Sequence, residues 1–151
     1  REVDLMLAII CSRSVFWERL NKKITAQNLQ SFVKLLGFLP DDEVSQIYNL
    51  ALALVHPSKM EGFGLTGLEA MQVGLPVLSS NASCLPEIYA DAALYFDPNN
   101  VADLVSSLEK IIGSQEVREE LMVKGYQRSR AFSWKKMAED TLVVYRQLLK
   151  S

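Results

Sequence analysis

Apolar residues cluster along the chain in short blocks that alternate with amphipathic stretches. Asp4-Leu-Met-Leu-Ala-Ile-Ile-Cys11 is nearly continuous in apolar character and predicts a strand covered on both faces. Phe16, Leu20 and Ile24 recur at helical spacing, and Phe32-Val-Lys-Leu-Leu36, ended by Gly37, predicts a second strand. Pro40-Asp41-Asp42-Glu43 opens a helix, with Asp41 as cap, Asp42 and Glu43 at the positive end of the dipole, and Val44, Ile47, Tyr48 and Ala51 as its apolar stripe. Leu52–Val55 predicts a third strand, stopped by His56-Pro57. A short helix is expected over about 67–73, then strands at Val77–Ser79 and Ala93–Phe96.

Strands alternating with helices at this spacing predict βαβ units. The expected fold class is α/β, a Rossmann-like parallel sheet flanked by helices, with a helical C-terminal segment. In that segment Val101, Leu104, Val105, Leu108, Ile111 and Ile112 share one helical face, and Val117, Leu121 and Tyr126 suggest a second helix. Ser133 caps a third, with Trp134, Ala138, Leu142, Tyr145 and Leu149 on one side. All three read as packing elements.

Composition narrows the function. The 151 residues carry 16 Lys+Arg against 18 Asp+Glu, a net charge of −2, so no basic footprint invites nucleic acid. Two cysteines, Cys11 and Cys84, are too few for a disulfide framework or a Cys-rich zinc site, and one histidine, His56, excludes a multi-His metal site within the chain. No apolar run approaches the ~20 residues of a membrane span. Glu2 and Asp4 stand where a signal peptide would be cationic, so a reduced, cytoplasmic setting is expected. Because residue 1 is Arg, a fragment of a longer protein is also expected.

The chemistry concentrates in His56-Pro-Ser-Lys-Met-Glu61-Gly-Phe-Gly-Leu-Thr-Gly-Leu-Glu69-Ala-Met-Gln-Val-Gly74-Leu-Pro76. This stretch leaves the third strand, turns through glycines and enters a helix, and ligands of open parallel sheets bind beyond the carboxyl ends of the strands. Gly62, Gly64 and Gly67 allow close backbone approach to a ligand, and the N–H groups near Leu65 and Thr66 can hold a phosphate at the helix start. Gly62-Phe-Gly64-Leu-Thr-Gly67 fits G-x-G-x-x-G but follows the third strand rather than opening a first βαβ unit. Specificity comes from Glu61 and Glu69, which bracket the glycines with seven residues between them. Glu61 lies in the loop facing the cleft. Glu69 lies about one helical turn in, where a carboxylate can accept two hydrogen bonds from a ribose diol. Each alone reads as a solvated charge; the pair points to a site.

This stretch resembles the E-x7-E signature of the glycosyltransferase group 1 proteins (glycosyltransferase family 4, retaining, GT-B fold). Phe32 to Val44, Pro76-Val-Leu-Ser-Ser-Asn with Leu85-Pro-Glu-Ile, and Ser133-Trp134 resemble the family's neighbouring segments, so the match runs from about residue 30 onward. The resemblance implies that residues 1–151 form most of the C-terminal, nucleotide-sugar-binding domain of a GT-B glycosyltransferase. Its first strand and helix and the N-terminal acceptor domain would be absent. It implies a hexosyltransferase of glycan biosynthesis whose donor is a nucleotide-diphosphate sugar, with no cofactor or metal. The fragment alone would be inactive, and peripheral membrane contact would come through the missing half. Glu69 would bind the ribose hydroxyls, and Glu61, as the catalytic candidate, the donor sugar. The backbone of Phe63 and Gly64 would meet the sugar and that of Leu65 and Thr66 the diphosphate, Gly62 would be part of the same donor-binding turn, and the strand end at Gly37, Phe38 and Leu39 would lie beside the base.

The family's diphosphate-clamping Arg and Lys match no motif here; Arg13, Lys22 and Lys23 remain unassigned. His56 reads as a wall residue at the strand end, Cys84 as a loop thiol, and Met60, Phe63, Leu68 and Met71 as packing residues. Asp97-Pro98-Asn99-Asn100 reads as a turn and helix cap. Two alternatives stay open: a GT-B-fold nucleotide-sugar epimerase and a non-catalytic nucleotide-binding module.

Overall fold

The computed structural model describes residues 5–149. Asp4, where the pattern begins the first strand, and Glu2 lie outside them. The described residues form two compact units divided between Gln46 and Ile47.

The first unit carries β1 (Leu7–Ile10), α1 (Val15–Ala26) and β2 (Val33–Gly37). β1 and β2 pair in parallel, Leu7 opposite Val33 and Ile9 opposite Leu35, with an irregularity that brings Ile10 opposite Gly37. Ser14 caps α1, its hydroxyl accepting from the Trp17 amide at 3.4 Å. The expectation that β1 is covered on both faces fails among the described residues. Leu7 is 49% exposed, and Met6, Phe32 and Leu36 are exposed too. Two strands and one helix cannot cover both sides of a sheet within this unit. The division of the chain falls inside α2 (Asp41–Leu50). Asp41 is not its cap but its first residue, so Asp41, Asp42 and Glu43 all sit in the first turn, where the dipole favours negative charge.

The second unit holds a parallel sheet ordered β3 (Leu54–His56), β4 (Val77–Ser80), β5 (Ala93–Phe96). Leu54 pairs with Val77, His56 with Ser79, and Ser80 with Phe96. Between the strands run α3 (Leu65–Gln72), the five-residue α4 (Leu85–Tyr89) and a 3-10 turn over Ala90–Ala92. Then come α5 (Val101–Gly113), α6 (Gln115–Ser129) and α7 (Trp134–Leu148). Alternate strand residues serve two cores, as a period of two requires. Val77 and Ala93 join Leu68, Met71, Leu85 and Tyr89 in one cluster, while Leu78 and Phe96 join Ile111 and Leu121 in the other. All four residues of β4 are buried, as a central strand covered by helices should be.

Helix starts follow the expected chemistry. Asn100 accepts from the Asp103 amide at 3.2 Å, Ser114 from the Val117 amide at 3.2 Å, and Ser133 from the Lys136 amide at 3.1 Å. Several expected packing positions differ, Val101 and Val105 of α5 among them, both exposed. Tyr126 is exposed, and α6 instead turns Leu121 and Gly125 inward. No residue of α7 is buried, and Trp134, Leu142 and Tyr145 are exposed. No described helix is long and apolar enough to cross a membrane.

Candidate functional site

β3 ends at His56, beside Ser79 on β4, and the chain leaves the sheet through residues 57–64 before entering α3. Ser80 ties the start of this loop to the sheet by donating its hydroxyl to the Ser58 carbonyl. At the other end Gly64 caps α3 in the left-handed region, φ +93°, with no side-chain cap. The amides of the first turn, Leu65 and Thr66 among them, have no partner inside the helix, as at any helix start. With the dipole they form a surface suited to an anion.

The glycines answer to what lies below the loop as well as to what could lie above it. A Cβ on Gly64 would stand 2.7 Å from both Leu85 Cδ2 and the Tyr89 hydroxyl, and one on Gly67 only 2.3 Å from Tyr89. Tyr89 is fully buried, so its ring has little room to yield. Gly62 meets nothing within 4 Å. Sequence reasoning missed this floor. α4 is five residues long, too short for periodicity to reveal it or the role of Tyr89.

Of the expected site residues in this unit, Gly62, Phe63, Leu65, Thr66 and Glu69 are exposed, Glu61 is half-buried and Gly64 is buried. Glu61 is fixed from several directions. Its carboxylate accepts from His56 Nε2 at 3.0 Å. Its amide donates to Ser83 Oγ at 3.3 Å, and its carbonyl accepts from that hydroxyl at 3.0 Å and from Cys84 Sγ at 3.4 Å. The His56 hydrogen bond holds its carboxyl below the ordinary value of 4.5, helped by the Ser58 hydroxyl and the Gly62 amide. Cys84 is therefore a loop thiol that also braces Glu61. His56 is more than a wall residue: its side chain is 11% exposed, and Nδ1 lies 3.0 Å from the Tyr89 hydroxyl. Tyr89 in turn donates to the Gly64 carbonyl at 2.7 Å.

Glu69 lies on the open side of α3, one turn past the glycines. Tyr48 is its neighbour in charge: burial raises the phenol's pKa, and the Glu69 carboxylate raises it further. Phe63 packs edge-on against Phe132, ring centroids 5.7 Å apart, as a packing residue should. Arg128 stacks over Phe132 and donates to the Ile88 carbonyl at 2.7 Å and the Glu87 carbonyl at 2.8 Å, so its guanidinium braces α4. Lys59 donates to Asn99 at 2.7 Å. Phe38, exposed, and Leu39, half-buried, belong to the first unit, as do Arg13, Lys22 and Lys23. Arg13 stacks 5.7 Å over Trp17.

This arrangement can hold a polyanion on the start of α3 while presenting two carboxylates, one rigid and one exposed, to a polyol. The family profile described as "Glycosyl transferases group 1" matches residues 5–128. The O-antigen chain mannosyltransferase B of Escherichia coli is 35% identical over 119 residues, which are 79% of this chain and 31% of that protein. The sucrose-phosphate synthase of Thermosynechococcus elongatus superposes with a TM-score of 0.86 at 27% identity, over 96% of this chain and 39% of that one. Anabaena HepE, solved in complex with UDP and glucose, shares the fold with a TM-score of 0.83 at 19% identity, over 94% of this chain and 40% of that one. The chain thus spans about a third of the length of the mannosyltransferase it matches. The expected parallel α/β architecture is present, with the E-x7-E carboxylates on a strand–loop–helix inside the matched region, and the chain belongs to the glycosyl transferases group 1 family.

Proposed function

We propose that this chain is the donor-binding part of a glycosyltransferase that moves a hexose from a nucleotide-diphosphate sugar to an acceptor with retention of anomeric configuration. The observation that carries the proposal is the placement of Glu61 and Glu69 on either side of the α3 N-terminus, Glu61 immobilised in the loop and Glu69 on the open helix face. Glu69 accepts hydrogen bonds from the ribose diol. The amides at Leu65 and Thr66 receive the diphosphate, and Glu61, with the backbone of Gly62, Phe63 and Gly64, meets the sugar. The acceptor is held by another domain, so the chain alone turns nothing over. The nucleotide-sugar donor is in keeping with the complexes in which HepE was solved, and the hexose with the naming of several relatives as mannosyltransferases.

In the reaction the bond from the anomeric carbon to the diphosphate oxygen breaks, its electron pair leaving on the diphosphate. The acceptor oxygen bonds to the same carbon and passes its proton to the departing diphosphate oxygen. Positive charge grows on the sugar and negative charge on the leaving group. Amides fixed at the helix start stabilise the latter without reorganising, the kind of preorganised electrostatics that lowers such barriers most. Glu61 orients the sugar so that this carbon faces the acceptor.

The test is turnover by the full-length protein with a panel of uridine, guanosine and adenosine diphosphate sugars, the product's anomeric configuration being read by NMR. Retention and undiminished turnover in excess EDTA are expected. An inverted product, or a metal requirement, contradicts the mechanism; isomerised donor without transfer contradicts the function.

A further inference from the structure

The loop and its floor share an unusual proton inventory. Tyr89 has one hydroxyl proton and two neighbours within reach, the Gly64 carbonyl at 2.7 Å and His56 Nδ1 at 3.0 Å. Donated to the carbonyl, that proton leaves the oxygen only lone pairs for Nδ1, so Nδ1 must carry a proton of its own. The other ring nitrogen, Nε2, lies 3.0 Å from a Glu61 carboxylate oxygen, which has no proton to give once ionised. All three contacts are satisfied together only when both ring nitrogens are protonated. A neutral ring satisfies only two of the three: with its proton on Nδ1 the contact of Nε2 with Glu61 is lost, and with its proton on Nε2 the hydroxyl must choose between Nδ1 and Gly64.

The geometry assigns to His56, in its imidazolium form, the positioning of Glu61, with Tyr89 setting the ring's orientation and joining it to the backbone that caps α3. This inference rests on the donor-site reading above, since Glu61 is taken to meet the sugar. It makes the loop one unit: the strand end, the carboxylate and the helix cap hang on one ring. It also makes Glu61 half of an ion pair, better suited to orienting hydroxyls than to meeting a full positive charge alone.

The titratable groups facing the ring are Glu61 from the loop and Tyr89 from α4. Cys84 at the start of α4 and Tyr95 on β5 act on the Tyr89 phenol, whose ionisation burial pushes far above its ordinary range, so the phenol keeps its proton.

The test is kinetic and spectroscopic, in the full-length protein, on the wild type, His56→Asn and Tyr89→Phe. His56→Asn is expected to lower kcat by about 10²-fold with donor KM little changed, a misplaced group rather than a lost binding contact. Tyr89→Phe, which keeps the ring beneath the glycines but removes the hydroxyl that orients it, is expected to lower kcat in the same way and by less. The imidazole 15N signals that shift in Tyr89→Phe and vanish in His56→Asn should show both nitrogens protonated in the wild type under the assay conditions. A ring neutral throughout the working range, or wild-type kcat in His56→Asn, overturns the assignment. Should His56→Asn fail to fold, Tyr89→Phe and the wild-type ring signals still decide it. Failure of the donor-site reading appears differently, as absent transfer by the wild type and equal nucleotide-sugar affinity in Glu69→Ala.

Discussion

β1–α1–β2 and β3–α3–β4 are built alike, each a parallel strand pair joined through a helix, yet their environments within the described residues are opposite. Leu7 and Met6 lie open beside a two-stranded sheet, whereas every residue of β4 is buried. Local pattern is sufficient to write either unit; what differs is the third layer. The second unit places α4 beneath the glycine loop, α5 on the other core and α6 against both, so its strand ends are clamped by side chains from elsewhere in the sequence. The loop that carries Glu61 sits on the clamped unit, where packing holds it in place.

The sharpest way to break this comparison is to remove the clamp. Tyr89→Ala should destabilise the chain by about 3–5 kcal/mol through a cavity and two lost hydrogen bonds, while Leu7→Ala costs under about 1 kcal/mol, both measured by denaturant unfolding. Similar losses at the two positions would show that the units do not differ as described. Gly67→Ala comes next, at about 1–3 kcal/mol, because its Cβ would meet the Tyr89 ring at 2.3 Å. Gly62→Ala, with nothing within 4 Å, should be nearly silent in the same unfolding curves. The smallest effect is on pH. Since His56 holds the Glu61 carboxyl below 4.5, the pair's contribution is complete above that value and is lost as pH falls through the lower, folded-state value. Glu61→Gln should therefore flatten the acid side of the stability profile, below 4.5.

Much of this was readable in the residues, and the unread part has a common cause. β5 runs over Ala93–Phe96 as expected, because four apolar residues between turn signals leave few choices. β3 begins at Leu54 rather than Leu52, since its pairing starts opposite Val77, where β4 begins. Glu61 in the loop and Glu69 one turn into the helix lie where the spacing put them. His56 and Tyr89, by contrast, are 33 residues apart and belong to no shared period. Nothing local tells a strand-end histidine that a tyrosine from a five-residue helix will stand under it. The stripe of α7 shows the same limit, because periodicity wrote the helix but could not say whether Trp134 and Tyr145 would be covered.

The division of labour between the two glutamates is open to one equilibrium measurement: calorimetric affinities of the full-length protein, Glu69→Ala and Glu61→Gln for a nucleoside diphosphate and for the corresponding nucleotide sugar. Losing a carboxylate on the ribose should weaken both ligands alike, by about 10-fold to 100-fold for hydrogen bonds to a charged group. Losing the Glu61 charge should weaken the nucleotide sugar and leave the bare diphosphate unchanged. Wild-type affinity of Glu69→Ala for both ligands would contradict the account.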